Sequence, residues 1–162
     1  MRWSLLTTEK FRCAGWPVAR WRRIVRVSRG RTDEDAKLGL DRVTVDINQI
    51  GDRATVQTRY SDERRPPYSV EVQYHVKAPA GTRLTISSIG GDVTVSDIRG
   101  ETSTSTTGGN TTITNGRVSS AKSVGGNVTL TGTETDGTLD VETYGGQLLL
   151  KQVKAGSSTN TV

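Results

Sequence analysis

Four octets repeat along the chain: SIGGDVTV (Ser88–Val95), TTGGNTTI (Thr106–Ile113), SVGGNVTL (Ser123–Leu130) and TYGGQLLL (Thr143–Leu150). Their glycine pairs, Gly90-Gly91, Gly108-Gly109, Gly125-Gly126 and Gly145-Gly146, begin 18, 17 and 20 residues apart. A nearly constant period of this length marks a stack of like units, none of which can bury its apolar side alone. Each pair is followed by a polar residue and a short alternating run. A second glycine, Gly100, Gly116, Gly137 or Gly156, then leads into a Ser/Thr-rich run.

Stacking the units aligns the residue types. Val93, Thr111, Val128 and Leu148 form one row, and Val95, Ile113, Leu130 and Leu150 another on the same face. The predicted core is Val93, Val95, Ile113, Val128, Leu130, Leu148 and Leu150. Between these rows Thr94, Thr112, Thr129 and Leu149 face outward, because side chains alternate along a strand. In the second half of each unit, Thr102, Val118, Leu139 and Ser158 align, as do Thr104, Ser120, Val141 and Asn160, which makes a wall poorer in apolar groups. The glycine pairs are assigned to corners, where a coil must turn and a side chain, or the penalty it brings at positive φ, would be costly. Asp92, Asn110, Asn127 and Gln147 form a row beside them, with Asn110 and Asn127 placed to ladder their amides. The fold expected is all-β: a parallel β-helix-like solenoid of about four coils, preceded by an N-terminal strand and hairpin lead-in.

Composition agrees with thin walls rather than a thick core. Of 162 residues, 32% are hydrophobic and 18 are glycine. The formal charge of +5 is unevenly placed. Met1 to Arg31 carries nine Lys/Arg and one acid; the remainder carries thirteen Lys/Arg and sixteen acids, a net of −3. With no basic stripe after Arg31, nucleic acid is not expected as a partner. One cysteine, Cys13, leaves no internal disulfide framework. No apolar run is long enough for a transmembrane span.

Residues 1–31 hold all three tryptophans and lack the apolar stretch of a secretory signal. They are expected to be a poorly ordered extension or the product of a misplaced start, with a short strand available at Ile24 to Val27. Residues 32–80 read as a lead-in. Thr32 is placed to cap a short helix, with Asp33, Glu34 and Asp35 in its first turn and Gly39 at its end. Val43, Val45 and Ile47 alternate; Asn48 to Asp52 reads as a turn; Arg53 to Tyr60 completes a hairpin. In YSVEVQYHVK, Val70, Val72, Tyr74 and Val76 face inward and Glu71, Gln73, His75 and Lys77 outward. His75, the only histidine, is expected on a solvated strand face. Residues 81–162 are the solenoid, which SSTNTV ends where a fifth glycine pair is due, as in a fragment.

The lead-in APAGTRLTISSIGGDVTVSDIRGE followed by repeated GG-[DNQ]-x-[TL]-[VIL] units resembles a bacterial family of adhesin-labelled β-solenoids. These are envelope and secreted proteins built on a domain of unknown function. The resemblance covers roughly Val43 to Val162. It implies a parallel β-helix-like stack, a cell-envelope or secreted location, and no established enzymatic activity or cofactor.

Enzymatic chemistry on a β-helix needs clustered carboxylates and a base. Asp92 is stacked on the neutral Asn110 and Asn127. Asp97, Arg99 and Glu101 occur in one coil, as do Asp136, Asp140 and Glu142. No catalytic, metal or cofactor residues are therefore assigned, and a polysaccharide-acting enzyme is the least favoured reading. Threonine rows would suit ice binding, but Leu149 interrupts the row. The function expected is a non-catalytic adhesin or surface-binding module whose partner is an envelope glycan or protein. The alternative is a self-assembling, bactofilin-like scaffold associating end to end.

Overall fold

The computed structural model describes residues 3–11, 22–50, 53–60, 66–76 and 78–161. The chain divides into two units, Met1–Lys77 and Ala78–Val162.

In the first unit the chain runs β1 (Trp3–Phe11), β2 (Arg22–Gly30), α1 (Asp33–Arg42), β3 (Thr44–Ile50), β4 (Arg53–Arg59) and β5 (Tyr68–His75). Strands β1, β2 and β5 form an antiparallel sheet with β2 in the centre, and β3 and β4 pair as a separate hairpin. Of residues 1–31, part is described. That part forms β1 and β2, and Ile24 and Val25 are only 1% and 4% exposed. The strand foreseen at Ile24 to Val27 is longer than its apolar letters indicate, because β2 is completed by pairing on both edges.

Helix α1 opens as its letters require. The Thr32 hydroxyl accepts from the Asp35 N–H at 3.1 Å, and the Asp35 carboxylate accepts from the Thr32 N–H at 3.3 Å. This reciprocal box satisfies two donors that a helix start leaves open. Gly39 does not end the helix, which continues to Arg42. It is buried, and a Cβ there would press on the Ser28 hydroxyl and the Tyr68 ring. Its role is close approach of helix to sheet, which outweighs its low helix propensity. The helix end is held by Arg26, whose Nη1 donates to the carbonyls of Leu40 (3.2 Å) and Val43 (2.8 Å). A cation at this end also meets the negative pole of the helix dipole.

Two details of the lead-in differ from expectation. Strand β3 extends through Asn48 to Ile50, with Ile50 opposite Arg53, so these three residues of the expected turn belong to the strand, and Gly51 and Asp52 lie outside the described residues. On β5, Val70 and Val72 are half-buried, but Tyr74 is exposed, as is Val76 just past the strand's end. An edge strand covers its side chains from one flank only, and burial falls away from the Tyr68 end that faces Gly39. His75 is exposed, and Lys77 lies outside the described residues.

The second unit is the solenoid. Its strands are β6 (Leu84–Ser88), β7 (Val93–Ser96), β8 (Glu101–Thr106), β9 (Thr111–Thr114), β10 (Arg117–Ser123), β11 (Val128–Thr131), β12 (Thr138–Thr143), β13 (Leu148–Lys151) and β14 (Ser157–Thr161). They form two parallel sheets, ordered β6-β8-β10-β12-β14 and β7-β9-β11-β13. Every coil adds one strand to each sheet, so backbone groups of one coil are satisfied by the next.

The register is the one read from the repeats: Val93, Thr111, Val128 and Leu148 pair in sequence, as do Val95, Ile113, Leu130 and Leu150. Ile113, Val128 and Leu130 are fully buried, Val93 and Val95 nearly so, and Leu148 and Leu150 are half-buried. They join Ile98, Val118, Ala121, Leu139 and Val141 in one cluster. Burying one such side chain is worth about 1.5–3 kcal/mol, so a single core of short rows carries the unit.

The second wall departs by one residue. Val118 pairs with Thr102, but Ser120 pairs with Ser103 and Ala121 with Thr104 and Val141. Ser119 is an extra residue in β10, a β-bulge that flips the parity of the residues after it. Ala121, not Ser120, therefore points inward and is fully buried.

Candidate binding face

The first letter of every octet is a hydroxyl residue: Ser88, Thr106, Ser123 and Thr143. The four stack in register on the inner side of one corner. Thr106 Oγ1 accepts from the Gly109 N–H at 3.3 Å, and Ser123 Oγ accepts from the Gly126 N–H at 3.0 Å. Ser123 donates to the Gly109 carbonyl of the preceding coil at 3.2 Å, and Thr143 donates to the Gly126 carbonyl at 2.9 Å. Ser88 donates to the Gly90 carbonyl at 2.8 Å. Glycine amides turned away from the ladder thus find side-chain partners, as buried backbone groups must. This row was missed from sequence, although its signal stands at a fixed place in all four repeats.

The glycines themselves divide by role. Of the eight corner positions, only Gly91 has a positive φ, 102°. The second glycine of each later pair is needed for stacking: a Cβ on Gly109, Gly126 or Gly146 would meet the carbonyl of Gly91, Gly109 or Gly126 below it. The first glycines are freer. Gly90 has open space around it, while Gly108, Gly125 and Gly145 would bring a Cβ to 3.3–3.4 Å of a carbonyl oxygen. The left-handed bends sit at the other corner, at Asp97 (φ 60°), Asn115 (51°), Gly132 (60°) and Gln152 (52°), each directly after a β7-type strand. Asp, Asn and Gly tolerate this conformation best.

The polar row beside the glycines is a ladder of a different kind from the one expected. Asp92 Oδ1 accepts from the Asn110 N–H (2.8 Å), Asn110 Oδ1 from the Asn127 N–H (3.0 Å), and Asn127 Oδ1 from the Gln147 N–H (2.8 Å). Backbone bonds run the opposite way, from Val93 N–H to Asn110 O, Thr111 N–H to Asn127 O and Val128 N–H to Gln147 O, at 2.8–2.9 Å. The side-chain oxygen takes the place of a peptide carbonyl and continues the ladder past the strand. Amide meets side chain directly only where Asn110 Nδ2 donates to Asp92 Oδ1 at 3.1 Å.

These corners hold two outer faces. On the β8–β10–β12 sheet, Lys122 bridges Asp140 (2.7 Å) and Glu142 (3.2 Å). Hydrogen bonds to these carboxylates raise the Lys122 pKa. The Glu142 pKa is lowered, first by its hydrogen bond with Tyr144 and then by Lys122, and the Tyr144 phenol is raised by the same carboxylate. Arg117 pairs with Asp136 at 2.6 Å, and Arg83 with Glu101 at 3.2 Å. Asp97 accepts from Asn115 Nδ2 at 3.4 Å. The carboxylates singled out from sequence are therefore spread over several coils, with Asp140 and Glu142 sharing Lys122. Among the described residues no three His, Cys, Asp or Glu side chains converge as a metal site would require, and no helix is long and apolar enough to cross a membrane.

On the opposite face two uncharged rows run over three coils, beside the row that begins at Asp92. Thr94, Thr112 and Thr129 pair in one row, and Ser96, Thr114 and Thr131 in a second, before β13 brings Leu149 and Lys151. At the glycine corner, Ile89, Val124 and Tyr144 are exposed, Ile89 to 85%. Fold and surfaces together define the class: a parallel β-solenoid with two regular outer faces, preceded by a small antiparallel unit. A scan against protein-family models, a search of curated proteins and a search of solved structures each found no match.

Proposed function

We propose that this is a non-catalytic, surface-binding solenoid of adhesin type, acting in the cell envelope or after secretion. The observation that carries the proposal is the regularity of the outer faces: side chains repeat coil by coil in register, while Asp136, Asp140, Glu142 and Glu101 are engaged in ion pairs. A repeating, shallow surface suits an extended partner, such as an envelope glycan or a protein strand, better than a single small substrate, which needs a concave site. The sequence resemblance to adhesin-labelled solenoids points the same way.

The test is twofold. Tagged protein expressed from its own gene should fractionate with the envelope or the medium, and purified protein should be retained by isolated envelope material. Fractionation with the cytosol, or turnover of a polysaccharide by the pure protein, would overturn the proposal. A scaffold reading draws support from one feature: β7 and β13 are edge strands of their sheet among the described residues. Unpaired strand edges template further pairing. Concentration-dependent light scattering that a charge at the exposed edge-strand position Leu149, as Leu149→Lys, abolishes would favour that reading.

A further inference from the structure

We infer that the β13–β14 end of the solenoid is an interaction surface for the same end of a second copy of this chain, giving a closed two-fold dimer. The feature that selects this occupant is a step. Among the described residues, sheet β6-β8-β10-β12-β14 has five strands and sheet β7-β9-β11-β13 has four, so β14 stands one strand spacing beyond β13. The β6–β7 end has no such step, since its two outermost strands follow one another in a single coil. Stacking that end of a second copy onto β14 would leave one strand position empty beside β13, so head-to-tail growth does not fit. A two-fold axis parallel to the strands and midway between the sheets leaves no gap. It exchanges the sheets and turns the second copy over, so that β14 of each copy lies beside β13 of the other. Both new pairs are antiparallel, because the chain runs out along one sheet and back along the other. The contact is isologous and closes on itself.

Three features of this end suit such a partner. First, its backbone is open. The carbonyls of Gln147 and Lys151 accept from the Val128 and Gly132 N–H groups at 2.9 Å. Alternation along a parallel strand then turns the N–H and C=O of Leu148 and Leu150 away from β11, toward the free edge, where they can template pairing. Second, the core is open. Val128 and Leu130 are 0% exposed and Thr133 2%, while Leu148, Leu150 and Val153 in the next coil are only half-buried. A partner strand beside β13 gives Leu148 and Leu150 the cover that β13 itself gives Val128 and Leu130. Third, Lys151 is the only charged residue on either strand. The rotation sets it beside β14 of the other copy, which carries no charge, so like charges are not opposed.

This inference goes beyond the envelope reading, which holds for one chain as for two; a dimer presents each outer face twice and gains avidity for an extended partner. The experiment is sedimentation equilibrium of the 162-residue chain over a wide concentration range, with amide hydrogen exchange read at the same concentrations. The mass should rise from one chain to two and stop there. Protection of the Leu148 and Leu150 amides should rise with it, while the Thr94 amide, at the β7 edge, stays unchanged. Leu149→Lys adds a cation to the exposed side of β13 and should weaken the dimer several-fold. Thr94→Lys, on β7, should leave it intact. Circular dichroism identifies a variant that fails to fold, in which case the exchange data on the unaltered chain decide. A monomer at every concentration would overturn the inference. So would growth past two chains, which an end-to-end scaffold requires, or a dimer that Thr94→Lys weakens and folded Leu149→Lys does not.

Discussion

The solenoid and the N-terminal unit bury their residues by opposite rules. In the solenoid each inward position is repeated one coil away, so Val128 lies between Thr111 and Leu148, and Leu130 between Ile113 and Leu150. In the N-terminal unit nothing repeats: Gly39, Ser28 and Tyr68 meet at one point, and Arg26 closes one helix. The repeat makes its contacts readable by alignment. The single-copy unit encodes its contacts in pairs of residues far apart in sequence. The difference also predicts where each unit is fragile.

The largest effect should come from the centre of the repeat. Val128→Asp places an unpaired carboxylate where the side chain is fully buried, between neighbours on both flanks. A loss of about 4 kcal/mol or more is expected, enough to unfold a marginal domain. Thr129→Asp, one residue on and facing out, should stay within about 1 kcal/mol. Equal shifts of the two in a urea titration would mean that the inward and outward faces are misassigned.

Next come two glycines with the same letters but different surroundings. Gly126→Ala drives a Cβ into the Gly109 carbonyl, and the coils must part locally; about 2–4 kcal/mol should be lost. Gly90→Ala meets open space and should be close to neutral. Thermal melts of the two variants sharpen the distinction between glycine as a stacking requirement and glycine as a turn residue.

The N-terminal unit offers the matching test. Gly39→Ala gains about 1 kcal/mol of helix propensity, but the added methyl collides with the Ser28 hydroxyl and the Tyr68 ring. Overpacking of this kind costs about 1–3 kcal/mol, so net destabilisation is expected, seen as loss of amide exchange protection in α1 and β2. Protection in the solenoid strands should be unchanged. A stabilised variant would show that helix and sheet are not in close contact at this point.

The smallest effect is electrostatic. The Lys122 pKa is raised in the folded chain, so its contribution is present at neutral pH and is lost as pH rises through that raised value. The Glu142 pKa is lowered, so its contribution is present above the ordinary glutamate range and is lost as pH falls through the lowered value. Both groups are partly exposed at the surface, where ion pairs contribute little. Lys122→Met should therefore lower the melting temperature slightly at neutral pH, and less so at either extreme. A pH-independent difference would assign the effect to packing of the lysine stem.

Much of this was legible in the chain. The octets fix the coil period, and the alternation of Val, Thr, Ile and Leu fixes which rows point inward. The Thr32 capping box was equally plain, because it depends on residues three apart. Strand β2 was not, since its polar letters are held in place by β1 and β5, the second of them paired across 38 to 52 residues of chain. The bulge at Ser119 escaped alignment because one inserted residue leaves the Ser/Thr composition of the run unchanged while reversing its faces.

The sequence by itself therefore determined the solenoid, its register on the β7–β13 side and the Asp/Asn row of its glycine corner, because local periodicity repeated four times leaves only one alignment. Tertiary structure decided what Gly39, Gly109 and Gly126 are for, and which side Ala121 faces. Each of these depends on what lies across a gap of one coil or one helix, and that distance is set by packing rather than by the letters on either side.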